Sequence, residues 1–179
     1  MAGEGEGFYM TQYILLNGPP RSGRSTLARL LQQRLKGSVQ AEIHAPLKHL
    51  LCSALAMKWD AMGTDRPRAI LNGRSAVDAL RQLRNHLRGL YGPDVLGRWV
   101  EFRVLGMQPI PGIVIIDDVL FPEDAEVFTE RILVRIMRGN ENNFAPISKP
   151  DYNVINGGEV EYLARRADQI VGSLQYHGT

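Results

Sequence analysis

Near the start of the chain, Gly18-Pro19-Pro20-Arg21-Ser22-Gly23-Arg24-Ser25 has the spacing of a phosphate-binding loop: glycine, four residues, glycine, a basic residue and a hydroxyl residue. Glycines at those two places let backbone N–H groups turn inward around phosphate oxygens. A helix beginning at Arg24 would aim the positive end of its dipole at the same point. The Ser25 hydroxyl suits a Mg²⁺ ion, and Thr26 either packs at the base of the loop or touches an α-phosphate. Gly18, Arg21, Ser22, Gly23, Arg24, Ser25 and Thr26 are therefore candidate nucleotide-binding residues, with ATP and Mg²⁺ as the expected cofactors. Arg24 stands where the pattern has lysine, which keeps the charge and exchanges a compact ammonium for a planar fork.

A second group of charges lies downstream. The apolar run Ile113-Val114-Ile115-Ile116 ends in Asp117-Asp118, a place for an acid that supports a metal. Adjacent acids on an extended chain point in opposite directions, so one of them serves the metal and the other caps a neighbour. Both could instead cap a helix opening at Pro122. Arg81, Arg84 and Arg88 recur at i, i+3 and i+7 and share one helical stripe, suited to an acceptor phosphate or simply to solvent. Arg74 and Arg98 are further candidates. Trp99 and Phe102 have the spacing to stack on a base or to join the core, and Arg138 ends a strand at the start of a polar loop. His44, His49, His86 and His177 show no metal-ligand spacing and read as structural or surface residues.

The elements that must position these side chains alternate in type, which predicts an α/β fold with a parallel sheet covered by helices. Strands are expected at Gln12–Asn17, Ser38–Ile43, Gly112–Asp117, Ile132–Met137 and Asn153–Ile155. Helices are expected at Arg24–Leu35, Pro46–Met57, Ser75–Tyr91, Asp94–Leu105, Pro122–Thr129 and Glu159–Val171. On the third helix Val77, Leu80, Leu83, Leu87 and Leu90 form the apolar face, and Asp94 can cap the fourth. A polar loop runs from Arg138 to Asp151.

The chain has 179 residues, 44% of them hydrophobic, enough for one domain with a real core, assigned to residues 12–179 behind a flexible leader at 1–11. A net charge of +2 does not by itself point to nucleic acid. Cys52, the single cysteine, excludes an internal disulfide, fits a reducing compartment such as the cytoplasm, and reads as a core residue. The first residues lack the features of a secretory signal, and no apolar run approaches a membrane span. The sequence leaves a homodimer open.

Taken together, the motifs resemble the phage-type deoxynucleoside monophosphate kinases, a branch of the P-loop nucleotide kinases. The resemblance rests on Ile14-Leu15-Leu16-Asn17-Gly18, on Ala45-Pro46-Leu47-Lys48, on Asp118-Val119-Leu120-Phe121-Pro122-Glu123, and on Val154-Ile155-Asn156-Gly157-Gly158 before a closing helix. Leu120 stands where that family has arginine, and Glu123-Asp124 where it has Asn-Glu. The resemblance implies a three-layer P-loop kinase fold with the loop strand in the middle of the sheet. It implies an acceptor pocket under the helices between Pro46 and Leu105, and it favours Asp118 over Asp117 as the acid at the metal. On this reading Arg24, Asp118 and Arg138 are catalytic, Ser25 and Asp118 serve the metal, and Arg74, Arg81, Arg84, Arg88 and Trp99 bind a nucleotide substrate. It would place a phage-encoded chain in the host cytoplasm. Two rivals stand beside it: a related kinase acting on a hydroxymethylated base in phage DNA, with Asp117 or Asp118 as base, and a nucleotide-binding module without catalysis.

Overall fold

The computed structural model describes residues 10–59, 62, 66–139, 147 and 149–176. Most of the expected leader, most of the loop after Arg138, and His177 lie outside the described residues. Five strands, β1 (Gln12–Asn17), β2 (Val39–Ala41), β3 (Ile113–Val119), β4 (Arg131–Met137) and β5 (Tyr152–Ile155), form one parallel sheet in the order β2-β3-β1-β4-β5. Six helices flank it among the described residues: α1 (Arg24–Arg34), α2 (Ala45–Leu55), α3 (Ala76–Tyr91), α4 (Val95–Leu105), α5 (Pro122–Glu126) and α6 (Val160–Tyr176).

The central strand is apolar on both faces because both are covered. Tyr13 and Leu15 look to one side, where Val114, Ile116 and Leu133 of the neighbouring strands meet Leu47 of α2 and Leu96, Val100 and Val104 of α4. Ile14 and Leu16 look to the other, where Ile115, Val134 and Ile136 meet Leu27, Ala28 and Leu31 of α1 and Leu163, Ala167 and Ile170 of α6. Period-two alternation in the strands thus separates the two helix layers. Burying these aliphatic side chains contributes on the order of 1.5–3 kcal/mol each, which makes the paired cores the chief support of the architecture.

Several expected boundaries move for physical reasons. β2 is an edge strand and pairs over three residues only, shorter than Ser38–Ile43. β3 runs two residues beyond Asp117, because Val119 pairs with Asn17 across a bulge and Asn17 Nδ2 donates to the Val119 carbonyl at 2.9 Å. α5 stops at Glu126, and α6 continues well past Val171. On α3 only Leu80, Leu83 and Leu87 pack against the core; Val77 and Leu90 are exposed. Ser75 caps that helix by accepting from the Asp78 N–H at 3.1 Å, whereas Asp94 makes no capping bond on α4 and pairs with Arg98 instead. Cys52 is half-buried rather than core. Among the described residues no helix is long and apolar enough to cross a membrane.

Candidate functional site

The segment between β1 and α1 is a tight loop whose glycines are required by their surroundings. A Cβ on Gly18 would lie 2.1 Å from the Ile136 carbonyl oxygen of the neighbouring strand. Gly23 has φ +106°, and a Cβ there would meet Asn156 Nδ2 at 2.5 Å. Arg21 also adopts a left-handed conformation, at φ 64°, and turns outward into solvent. The first intrahelical bond of α1 runs from the Leu27 N–H to the Gly23 carbonyl, so the N–H groups of Arg24, Ser25 and Thr26 have no helical acceptor. No acidic side chain sits in this first turn to occupy them.

Two further polar atoms at the loop, Ser22 Oγ and Arg24 Nη1, are buried without a hydrogen-bond partner. Burial pulls the Arg24 guanidinium below its usual value, against the pull of the Asp118 and Asp117 charges. Buried donors and free helix N–H groups converging on one turn fit an anionic ligand, since each group costs free energy until an acceptor satisfies it.

The two acids divide their work along the strand. Asp117 is buried at the end of the β3 apolar run, near Ser25 and Arg24. Burial pushes Asp117 above the usual carboxylate range, the charges of Asp118 and Glu42 add to the rise, and Ser25 and Arg24 oppose it. Asp118 turns to the start of α2. It accepts from the Ile43 N–H at 2.6 Å and the His44 N–H at 3.0 Å, and meets His44 Nδ1 at 2.8 Å. Burial works against its charge, but the bonds and charge of His44 and the N–H groups outweigh it and hold Asp118 below the usual range. Asp118 is thus committed to the start of α2, and Asp117 is the acid nearer Ser25. A hydroxyl and a carboxylate are a donor set suited to Mg²⁺. Among the described residues no cluster of three or more His, Cys, Asp or Glu could hold a metal ion on protein ligands alone.

Beside the loop lies a cavity of about 300 Å³. Arg24 and Asp118 border it on the sheet side, His44 just before α2 and Lys48 on α2, and Val77, Leu80, Arg81 and Arg84 on α3, with Leu120 completing the wall. Arg81 and Arg84 are thereby brought to Arg24. Arg81 is tied to Asp78 on its own helix and largely exposed. Arg84 is half-buried with its guanidinium 4.8 Å from the Phe121 ring centroid; burial, then the charge of Arg88, lowers its pKa.

Other candidates go elsewhere. Arg88 does not face the cavity. It donates to Asp124 at 3.0 Å and Glu123 at 3.1 Å and lies 4.2 Å over Phe121, binding α3 to the start of α5. Asp124 is fully buried, which raises its pKa against the opposing charge of Arg88. Arg74 bonds Gln82 at 2.6 Å, and neither Arg74 nor Trp99 borders the cavity; Trp99 and Phe102 are exposed on α4. Arg138 is exposed at the end of β4, its guanidinium against Gly158. Sequence reasoning missed His44 and Lys48 as cavity residues, because His44 precedes the expected helix and the two did not read as one helical face. Lys48 pairs with Glu42 and lies 5.4 Å over the Trp59 ring.

No family model matches the sequence. No curated protein matches it either. The structure is similar to that of a cysteine-to-alanine mutant of the Mycobacterium tuberculosis APS kinase CysC. That chain is 14% identical with a TM-score of 0.51, over 93% of this chain and 98% of its own. It is also similar to TT1252 from Thermus thermophilus, 15% identical with a TM-score of 0.53, over 92% of this chain and 98% of that one. The chain has the P-loop kinase fold. In this fold the loop strand is central, and the order β2-β3-β1-β4-β5 puts the P-loop and the cavity together at the C-terminal edge of the sheet, where open α/β sheets collect ligands.

Proposed function

We propose that the chain is a P-loop nucleotide kinase that moves the γ-phosphoryl group of ATP to a deoxynucleoside monophosphate held in the cavity between α2 and α3. The observation that carries this reading is the pair of buried, unpartnered polar atoms on the P-loop, Ser22 Oγ and Arg24 Nη1, in a loop whose Arg24 also borders the cavity. A donor phosphate chain at the loop and an acceptor in the cavity then share Arg24, as a direct transfer requires.

In this reading the N–H groups of the first turn of α1, the Ser22 hydroxyl and Arg24 bind the triphosphate and meet charge that spreads onto its oxygens during transfer. Ser25 and Asp117 would hold Mg²⁺, which neutralises phosphate charge when bound. Arg84, with Arg81 and Lys48 beside it, orients the acceptor phosphate, and Val77, Leu80 and Leu120 give the cavity an apolar wall for the rest of the nucleotide. The acceptor oxygen of a monophosphate is already anionic near neutral pH, so no general base is needed. Arg138, whose guanidinium lies against Gly158, is assigned to the donor nucleotide, and Asp118 acts by fixing the start of α2. The whole of residues 12–179 is assigned to this kinase domain, working in the cytoplasm.

A transfer screen with γ-labelled ATP against each deoxynucleoside monophosphate, and against hydroxymethylated DNA, tests the reading. Labelled nucleoside diphosphate is the expected product. Label appearing only on DNA would replace this acceptor with a base hydroxyl, and ATP binding without any labelled product would reduce the chain to a nucleotide-binding module.

A further inference from the structure

Resting on the P-loop reading above, we infer that Asn156, on the turn between β5 and α6, is a positioning residue that holds the P-loop in its phosphate-binding shape. Nothing in the reaction touches Asn156. It is 6% exposed, and each part of its amide is committed. Nδ2 donates to the Ser22 carbonyl oxygen at 2.8 Å across 134 positions of sequence, and Oδ1 accepts from the Gly158 N–H at 2.9 Å. Its backbone N–H donates to the Met137 carbonyl at 2.7 Å, which ties the turn to the end of β4.

The Ser22 carbonyl belongs to the peptide that enters Gly23, and its direction fixes the direction of the Gly23 N–H on the other side of the same planar unit. Gly23 is held at φ +106° with Asn156 Nδ2 occupying the space a Cβ would fill, so the amide grips the loop at the residue where it becomes α1. Holding the carbonyl toward Asn156 therefore points the Gly23 N–H the opposite way, away from Asn156 and free for a ligand. A loop that had to find this conformation on binding would lose affinity to the ordering cost, whereas one already held in it does not.

The test compares Asn156→Ala and Asn156→Asp with the unaltered chain by equilibrium binding of labelled ATP and of inorganic tripolyphosphate. Thermal unfolding of the same samples is followed alongside. Aspartate keeps the acceptor for Gly158 and the size of the side chain, but replaces the donor to Ser22 with an oxygen that repels its carbonyl. The expected result is a roughly 10- to 100-fold loss of affinity for both ligands in both variants, the cost typical of losing a contact that orients a binding group. Aspartate should lose at least as much as alanine. Equal affinities in the unaltered chain and in Asn156→Asp overturn the inference. Failure of the unaltered chain to bind either ligand instead overturns the P-loop reading, so the two failures are distinct.

A second measurement needs no variant. In the unaltered chain, saturating Mg²⁺ and tripolyphosphate should slow hydrogen exchange at the Gly158 N–H together with the N–H groups of the loop, because Asn156 links them. Slowing at the loop with an unchanged rate at Gly158 contradicts the linkage.

Discussion

His44 and Asp118, 74 positions apart in the chain, meet at 2.8 Å between Nδ1 and Oδ2, and the same carboxylate receives the backbone N–H groups of Ile43 and His44. A side chain spent on three bonds to the start of α2 is a fastening between sheet and helix. The acid on the other side of the strand, Asp117, is the one beside Ser25. Asp118→Asn should therefore lower stability by roughly 1.5–3 kcal/mol, the worth of hydrogen bonds to a charged group. Asp117→Asn should abolish Mg²⁺-dependent turnover while leaving stability equal or higher, since burial disfavours its charged form. Urea unfolding and a Mg²⁺ titration of turnover on the two variants check this. An inactive Asp118→Asn of unaltered stability would reverse the assignment.

The same shifts set the sign of the pH dependence. Asp118 is held below its unfolded value of about 3.9, so its contribution is complete above that pH and is lost as pH falls through the folded value. The stability gap between the unaltered chain and Asp118→Asn should be constant from about pH 7 to pH 5 and close below about pH 4. Asp117 and Asp124, raised by burial, act in the opposite sense, favouring the fold at low pH and losing that contribution as pH rises through their folded values. Urea midpoints across this range read the difference directly.

Arg84 and Arg88 share a helix stripe and should behave differently. Arg84→Ala should raise the acceptor KM or lower kcat, at a cost of about 1.5–3 kcal/mol in kcat/KM, and leave ATP affinity nearly unchanged. Arg88→Ala strands the fully buried Asp124 carboxylate and should cost about 3–5 kcal/mol of folding stability. Steady-state kinetics and thermal unfolding separate the two, and an Arg88→Ala variant that folds normally but loses the acceptor would contradict the placement.

Gly18→Ala should be more damaging than its size suggests, because the added carbon would strike the backbone oxygen of Ile136, which no side-chain rotation relieves. Loss of ATP binding together with a lowered unfolding temperature is expected. Alanine at Gly157, where a Cβ meets nothing within 4 Å, is the control and should change neither.

The fold and the loop were readable because they depend on local order. The apolar run from Tyr13 to Leu16 leads into a glycine turn and then a leucine-spaced helix, and this fixes strand, loop and helix with no long-range information. Strand parity also showed that Asp117 and Asp118 must diverge. It did not show that Asp118 meets the Ile43 and His44 N–H groups, 75 and 74 positions away in the chain. Arg88 could not be told from Arg84 in sequence because its partners, Glu123 and Asp124, lie 35 and 36 positions away on an element whose docking is set by the tertiary core. Asn156 was visible only as one letter of a closing turn. Its bond to Ser22 exists because β5 and β1 are brought to either side of β4, and no local pattern encodes that.

The central claim is that a triphosphate on the P-loop reacts with an acceptor in the adjoining cavity, with Arg24 common to both. It is tested most directly by following label from γ-labelled ATP into nucleoside diphosphate in a single turnover, using the unaltered chain, Arg24→Lys and Arg24→Ala with Mg²⁺ and a mixture of the deoxynucleoside monophosphates. The account predicts labelled diphosphate from the unaltered chain, retained transfer with lysine and none with alanine. Undiminished transfer by Arg24→Ala, or bound ATP that never passes its label to any monophosphate, would contradict it.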